Sequence, residues 1–425
     1  MSAGAAQNFQ TFVDALMCKY RHSENLELDP DIFVPKQAPG KADSSGNIVL
    51  NTEVLALHDA CINTAGTVED IQHCLKCLRE LDLTCNNVSE WDEVFKLLGA
   101  MPMLEFLNLT SNPLCNPMPR DQHSCRFPSV RQLVLNSTLI SWSTLTELMP
   151  CFPNVEELHL SLNNYSSVDL DGSYQASSVC VLYFNGNNVA DWCEVAKLGY
   201  YCPNLRALVM CEAQNLQSFG EADQCRALFP NLTSLTVSDT AIEDWEQIDT
   251  LMQFPALDQV KLQRIPLLED YTEKEGRQLL VARLPNVSKL NGSMITDTER
   301  EDAERAFIRH YMDCDEKPAR YFELESRYGK LDPLVQLNLK PKTTAEVKIK
   351  FGDQEETRKI SLRQTVKQFK KSLEEFAAHP VSKFRLFYHD HTSAYGAEEL
   401  RFPTRNLYAL NITDGSDFII VLKHN

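Results

Sequence analysis

His159 and Ser161 stand two apart in the stretch Glu157-Leu-His159-Leu-Ser161, so an extended chain would carry an imidazole and a hydroxyl on one face. Acyl transfer from such a pair also needs an orienting acid and an oxyanion site, and neither occurs at a defined spacing. Cys74-Leu-Lys-Cys77 has the CxxC spacing of a zinc or dithiol site. Zinc requires a second ligand pair and a dithiol centre a different surrounding fold, so helix-core thiols are the simpler reading. The 15 glycines form no GxxxxGK[ST] phosphate loop. No catalytic residue, metal or cofactor is expected, and the remaining polar side chains have to be read as a surface.

The elements that would position that surface come from a phrase of the form Leu-x-x-Leu-x-Leu-x-x-Asn. It is centred on Leu55, Leu81, Leu107, Leu133, Leu158, Leu182, Leu208, Leu235 and Val260, at intervals of 26, 26, 26, 25, 24, 26, 27 and 25 residues. Such a beat is the signature of a leucine-rich-repeat solenoid, in which each repeat contributes a short strand and a returning helix. Asn86, Asn112, Asn163 and Asn187 hold the place where the chain leaves the strand, and Thr138 and Thr240 substitute a hydroxyl. All four tryptophans, Trp91, Trp142, Trp192 and Trp245, fall nine or ten residues past a central aliphatic. Each opens a stripe such as Trp142/Leu145/Leu148 that faces the core of a convex-side helix. Exposed aromatic anchors are the alternative reading of the same four residues.

The flanks are less regular. Residues 1–50 hold an apolar stripe (Phe9, Phe12, Val13, Leu16, Met17, Tyr20) expected as an N-terminal cap helix, then an exposed connection over 30–46. The repeats occupy 51–268, a C-terminal cap covers the terminal repeat over 269–311, and 312–342 reads as a linker. Residues 343–425 show a β-β-α-β pattern with a closing strand, the order of an α+β ubiquitin-like β-grasp domain. The expected fold class is therefore an α/β horseshoe followed by that small domain. Its end, Leu422-Lys-His-Asn425, lacks the glycine pair needed for conjugation, so the domain is expected to act in place.

Charge narrows the partners. The chain carries −18 in all, while 343–425 has 13 Lys+Arg against 11 Asp+Glu, so the part before it carries −20. No clustered cations suited to a nucleic-acid groove stand out, and no apolar run or cationic leader indicates a membrane span or signal peptide. No nucleic acid and no membrane are expected, the 14 cysteines are read as reduced, and the location as cytoplasmic. Side chains flanking the inward leucines project from the concave side of such a sheet. Glu80, Asp82, Phe106, Asn108, Glu157, His159, Tyr183, Asn185 and Lys261 are the candidate partner-binding residues, because aromatics among adaptable polar groups suit protein recognition. On the small domain Phe387, Ile419 and Val421 form a second candidate patch. A merely solvated sheet and half-buried side chains are the plainer alternatives.

The phrase Leu284-Pro-Asn-Val-Ser-Lys-Leu-Asn-Gly292, the motif Thr298-Glu-Arg-Glu-Asp-Ala-Glu304 and the order of repeats before a ubiquitin-like domain resemble the tubulin-folding cofactor E family. Leu16-Met-Cys-Lys-Tyr20, Leu104-Glu-Phe-Leu-Asn-Leu109-Thr-Ser-Asn112-Pro-Leu114 and Arg327-Tyr-Gly-Lys-Leu331 are closer still to its cofactor E-like members. The glycine-rich CAP-Gly domain of cofactor E proper, with its Gly-Lys-Asn-Asp-Gly motif, is not found here. The resemblance implies a non-enzymatic, cytoskeleton-associated factor that engages α-tubulin through the repeats and destabilises the heterodimer. The ubiquitin-like domain would then link released tubulin to a proteasome or ubiquitin-receptor subunit. The other reading is a ubiquitin-pathway adaptor with a different client.

Overall fold

The computed structural model describes residues 9–23, 41–42, 48–119, 125–170, 174–220, 222–333, 343–389, 396–410 and 412–423. The chain divides into two units, 1–333 and 334–425. Most of the connection expected over 30–46, and the last two residues of the chain, lie outside the described residues.

In the first unit each repeated phrase forms a three-residue strand, from Val54–Ala56 through Glu80–Asp82 and onward to Gln259–Lys261. Neighbouring strands pair in parallel with the central residues in register: Leu55 beside Leu81, Leu81 beside Leu107, Leu158 beside Leu182, Leu235 beside Val260. Nine phrases thus become nine strands. Two more follow where the beat was expected to stop. Lys289–Leu290 continues the parallel ladder with Leu290 beside Val260, and Ser293–Met294 folds back antiparallel, giving an 11-stranded sheet in a mixed α/β unit. Strand-centre leucines are buried because one face of the sheet packs under the helices. Four of those helices open on a tryptophan: Trp91–Ala100, Trp142–Leu148, Trp192–Tyr201 and Trp245–Thr250. Trp91, Trp142 and Trp192 are fully buried among aromatics, as in Trp192 against Phe219 at 5.3 Å and Phe254 at 6.0 Å between ring centroids. As exposed anchors they are excluded. Trp245 is half-buried beneath the Arg283 guanidinium at 4.8 Å.

The asparagines supply internal partners for the backbone where the chain turns at each repeat. Asn112 is fully buried; its amide donates to Leu83 O at 2.9 Å and Leu109 O at 3.1 Å, while Oδ1 accepts from Val88 N at 3.0 Å. One side chain thus ties two repeats together. Asn86, Asn163 and Asn187 repeat the arrangement. Thr138 and Thr240 donate within their own turn, to Leu135 O and Val237 O, and Thr138 also reaches Asn163 Oδ1 at 3.3 Å. In the additional repeat Asn291, directly after the strand centre Leu290, makes a different bridge, accepting from Leu262 N at 2.7 Å and donating to Leu262 O at 3.2 Å. Asn112→Ala strands a buried N–H and a buried carbonyl and is expected to cost about 3 kcal/mol, Asn112→Thr roughly half of that. Urea midpoints of the two variants at unchanged slope check the ranking.

Both ends of the first unit are covered. Helix Phe12–Ser23 buries Phe12, Ala15, Leu16 and Tyr20, and Gln10–Thr11 adds a strand beside Ile62–Thr64. Phe9, expected on the same stripe, precedes the helix and is exposed. Helices Glu273–Arg283 and Asp297–Tyr311 pack at the other end. The expected linker over 312–342 is corrected here. Its described part contains helix Ala319–Tyr328, whose Tyr321 and Leu324 bury against Leu279, Phe307 and Ile308. A repeat scan misses this helix because its apolar contacts are few; ion pairs hold much of it.

The second unit is a five-stranded mixed sheet in the order Gln354–Ser361, Thr344–Phe351, Asp417–Leu422, Phe384–His389, Glu398–Glu399. Helix Val366–Ser372 crosses one face, with Phe369 edge-on to Phe418 at 5.0 Å. Val347, Ile349, Leu386 and Ile420 complete that core.

Candidate protein-recognition surface

Parallel register aligns the solvent-side residues of the large sheet in rows. One row runs Glu80, Phe106, Gln132, Glu157, Val181 and on to Gln259; the next runs Asp82, Asn108, Val134, His159, Tyr183, Val209, Thr236 and Lys261. Strands lie about 4.8 Å apart, so same-row neighbours touch. At the centre the His159 and Tyr183 rings stack at 4.1 Å and 10°. His159 Nε2 meets Glu157 Oε1 at 2.8 Å, and Gln132 Nε2 donates to Glu157 Oε2 at 3.3 Å. Burial, with the Glu157 charge adding to it, pushes the Tyr183 phenol above its ordinary value, so it remains a protonated donor. All of these side chains are half-buried: held in place, with surface still available.

The predicted set therefore divides. Glu157, His159 and Tyr183 lie together on adjacent strands, and Phe106 lies in the same row as Glu157 on the far side of Gln132. Glu80 and Asp82 adjoin Phe106 and Asn108 at the N-terminal side. Lys261 lies three strands beyond Tyr183, across a floor of the short side chains Val209 and Thr236. Two of the amides work internally. Asn108 Oδ1 accepts from Thr110 N and Oγ1 at 3.0 and 2.7 Å, and Asn185 Oδ1 accepts from Cys211 N at 2.8 Å. Ser161, the candidate nucleophile, is buried, and its Oγ accepts from Asn185 N at 3.1 Å. Cys74 is buried and Cys77 half-buried, and among the described residues no group of His, Cys, Asp and Glu could hold a metal ion.

Two residues at the rim escaped the periodicity reading. The fourth residue after each strand centre has a positive φ: Asp59, Cys85, Ser111, Ser137, Leu162, Gly186, Glu212, Asp239 and Arg264. Leucine is the misfit in that series, at φ 60° and 51% exposed, and Leu139 nearby is at φ 58° and 52% exposed. A bulky apolar residue in left-handed backbone costs about 1 kcal/mol and gains nothing from exposure. The pair adds exposed apolar surface in the turns that follow strands Gln132–Val134 and Glu157–His159. Alignment of the repeats by their turn position would have found it.

On the second unit Phe387 pairs directly with Ile419, and Val421 pairs with Arg385 on the same outer face. The first two are half-buried and Val421 is exposed. Lys350 stands beside Ile419 and bridges to Asp417 at 2.9 Å.

No helix among the described residues is long and apolar enough to cross a membrane. No family model matches the chain. It is 42% identical over 373 residues to the tubulin-specific chaperone cofactor E-like protein of Homo sapiens, covering 87% of this chain and 88% of that one. The Caenorhabditis elegans protein of the same name is 29% identical over 378 residues, at 87% and 85% coverage. Tubulin-specific chaperone E of Bos taurus is 28% identical over 255 residues, covering 59% of this chain and 48% of that one. The solution structure of the C-terminal ubiquitin-like domain of mouse tubulin-specific chaperone e is similar over 20% of this chain and 90% of that domain, at 20% identity and a TM-score of 0.19. Identity of this level, sustained along nearly the whole of both chains, places the protein in a family: it belongs to the tubulin-specific chaperone cofactor E-like proteins.

Proposed function

We propose that this chain is a non-enzymatic, cytoplasmic and cytoskeleton-associated tubulin regulator. Residues 51–268 act as a leucine-rich-repeat solenoid with caps at 1–50 and 269–333, followed by a ubiquitin-like domain over 343–425. The solenoid engages α-tubulin through the sheet face bearing Glu80, Asp82, Phe106, Glu157, His159 and Tyr183, and destabilises the heterodimer. The observation that carries this reading is the ordered Glu157–His159–Tyr183 cluster, with Phe106 across Gln132 in the same row, on one open face of a chain whose relatives are named for tubulin. A binder separates two subunits when it prefers the separated one, and the difference in affinity sets how far the equilibrium moves. The Phe387, Ile419 and Val421 patch would hand the captured subunit to a proteasome or ubiquitin-receptor subunit.

Purified protein added to purified tubulin, without added nucleotide, is expected to deplete the intact heterodimer band on native gels in proportion to its concentration. Removal of 334–425 is expected to spare that effect, since each unit has its own core. An undiminished heterodimer band at saturating protein would refute the destabiliser reading. Co-purification with proteasome in that case would favour an adaptor with another client.

A further inference from the structure

Residues 357–373 contain six cations, Arg358, Lys359, Arg363, Lys367, Lys370 and Lys371, and no carboxylate. Local stability accounts for some of them. Lys370 and Lys371 sit in the last turn of helix Val366–Ser372, where the negative end of the helix dipole favours them. Lys370 also donates to Leu400 O at 2.8 Å, and Arg358 is held by Glu356 and Ser372 O. Lys367 has no such account: it lies in the first turn, where the positive end of the dipole opposes it. Arg363, Lys367 and Lys371 are exposed, and among the described residues no carboxylate pairs with any of them.

The segment 401–408 is fastened alongside this helix start by four backbone hydrogen bonds. Val366 N donates to Arg405 O at 2.8 Å, Lys367 N to Pro403 O at 3.0 Å, Leu407 N to Gln364 O at 2.9 Å and Tyr408 N to Leu362 O at 2.7 Å. It brings two further cations, Arg401 and Arg405, each in an exposed ion pair with Glu399 or Glu398. It also brings Phe402 and Tyr408, 69% and 59% exposed. Two large aromatics left in water beside unpaired cations form a surface that the unit's own stability does not require. Helix Val366–Ser372 covers the sheet face opposite the one that carries Phe387, Ile419 and Val421, so this surface is separate from that patch.

We propose that Arg363, Lys367, Arg405, Phe402 and Tyr408 form a docking site for an acidic peptide segment of a partner protein. Its carboxylates would meet the cations while an apolar or aromatic side chain lies against Phe402 and Tyr408. Exposed ion pairs contribute little singly, so a peptide has to engage several together with apolar contact to bind measurably. Charge selects the class of partner. A nucleic acid or an anionic membrane presents a dense, extended row of charges that needs many clustered cations to neutralise it, and the site offers three, Arg363, Lys367 and Arg405. A short peptide stays within the basic face.

The test uses the full chain and fluorescence anisotropy with a labelled octapeptide of six glutamates, one phenylalanine and one tyrosine, against the same peptide with glutamine for glutamate. The glutamate peptide is expected to bind at least about tenfold more tightly and to weaken steeply as salt rises. Arg363→Ser with Lys367→Ser, and separately Phe402→Ser with Tyr408→Ser, are each expected to weaken it about fivefold or more at unchanged near-ultraviolet dichroism. These substituted side chains lie outside the unit's core, so folding is retained. Equal binding of the two peptides, either double variant binding like the parent, or tighter binding of phosphatidylserine vesicles or duplex DNA would each overturn the proposal. Tubulin depletion is read separately and is expected to be intact in both variants.

Discussion

Replacing Phe106, Glu157 and Tyr183 together with alanine is expected to lower the affinity for tubulin by about a thousandfold while leaving the fold intact. The three side chains sit on the open side of the sheet, so the buried ladder of Leu107, Leu158 and Leu182 behind them is untouched. Truncation removes the aromatic stack on His159, the carboxylate that orients the imidazole, and the flat ring two strands away in the same row. Central, well-held aromatics of this kind are worth about 1 to 3 kcal/mol each in interfaces, and a thousandfold loss corresponds to about 4 kcal/mol in all. Biolayer interferometry against immobilised tubulin, alongside thermal melts, separates lost contact from lost fold. Capture within about threefold of the parent at an unchanged melting temperature would place the partner on another surface.

The second large effect belongs to Glu304, on helix Asp297–Tyr311 and 1% exposed. Its carboxylate accepts from Arg320 at 3.0 Å, Arg327 at 3.2 Å and the Tyr328 hydroxyl at 2.6 Å. Arg320 reaches on to Ala282 O at 2.9 Å, so one acid joins all three helices at the C-terminal end of the first unit. Burial and the bond to Glu304 push the Tyr328 phenol above its ordinary value and keep it a donor. Glu304→Ala leaves the half-buried Arg320 without its buried acceptor, at an expected cost of about 3 kcal/mol. Arg327 is mostly exposed and contributes little to that figure. A drop of roughly 4 °C in melting temperature follows for a unit of this size. Glu304→Gln retains the shape without the charge and should lose about half as much. A drop of less than about 1 °C for Glu304→Ala would show that apolar contacts under Phe307 and Leu324 suffice to hold the end cap.

Much of the architecture was legible because a strand only three residues long repeats its side-chain pattern with every return of the chain. Leu81, Leu107 and their successors announce the buried rows, and residues one place to either side announce the open face. Asn112 and its counterparts were readable for the same reason, since each repeat has one turn whose backbone needs an internal partner. Helix Ala319–Tyr328 was not readable. It is recruited by Glu304 and Arg320, an ion pair between residues 16 apart on different helices, and no periodicity encodes such a contact. Strand Lys289–Leu290 was hidden because its centre, Leu290, comes 30 residues after Val260, outside the interval the earlier repeats keep.

Within the candidate surface the division is the same. Sequence alone determined which side chains face out, because inward and outward positions alternate along each strand whatever the neighbours are. Which of them act together is a property of the stacked sheet. Register brought His159 onto Tyr183, left Lys261 three strands away, and turned the Asn185 amide oxygen toward Cys211 N, whereas the Glu157–His159 and Asn108–Thr110 contacts form between residues two apart in the chain. Tertiary packing also decided that Leu139 and Leu162 stand in strained backbone at the rim, since a residue's φ depends on where its repeat must turn to meet the next.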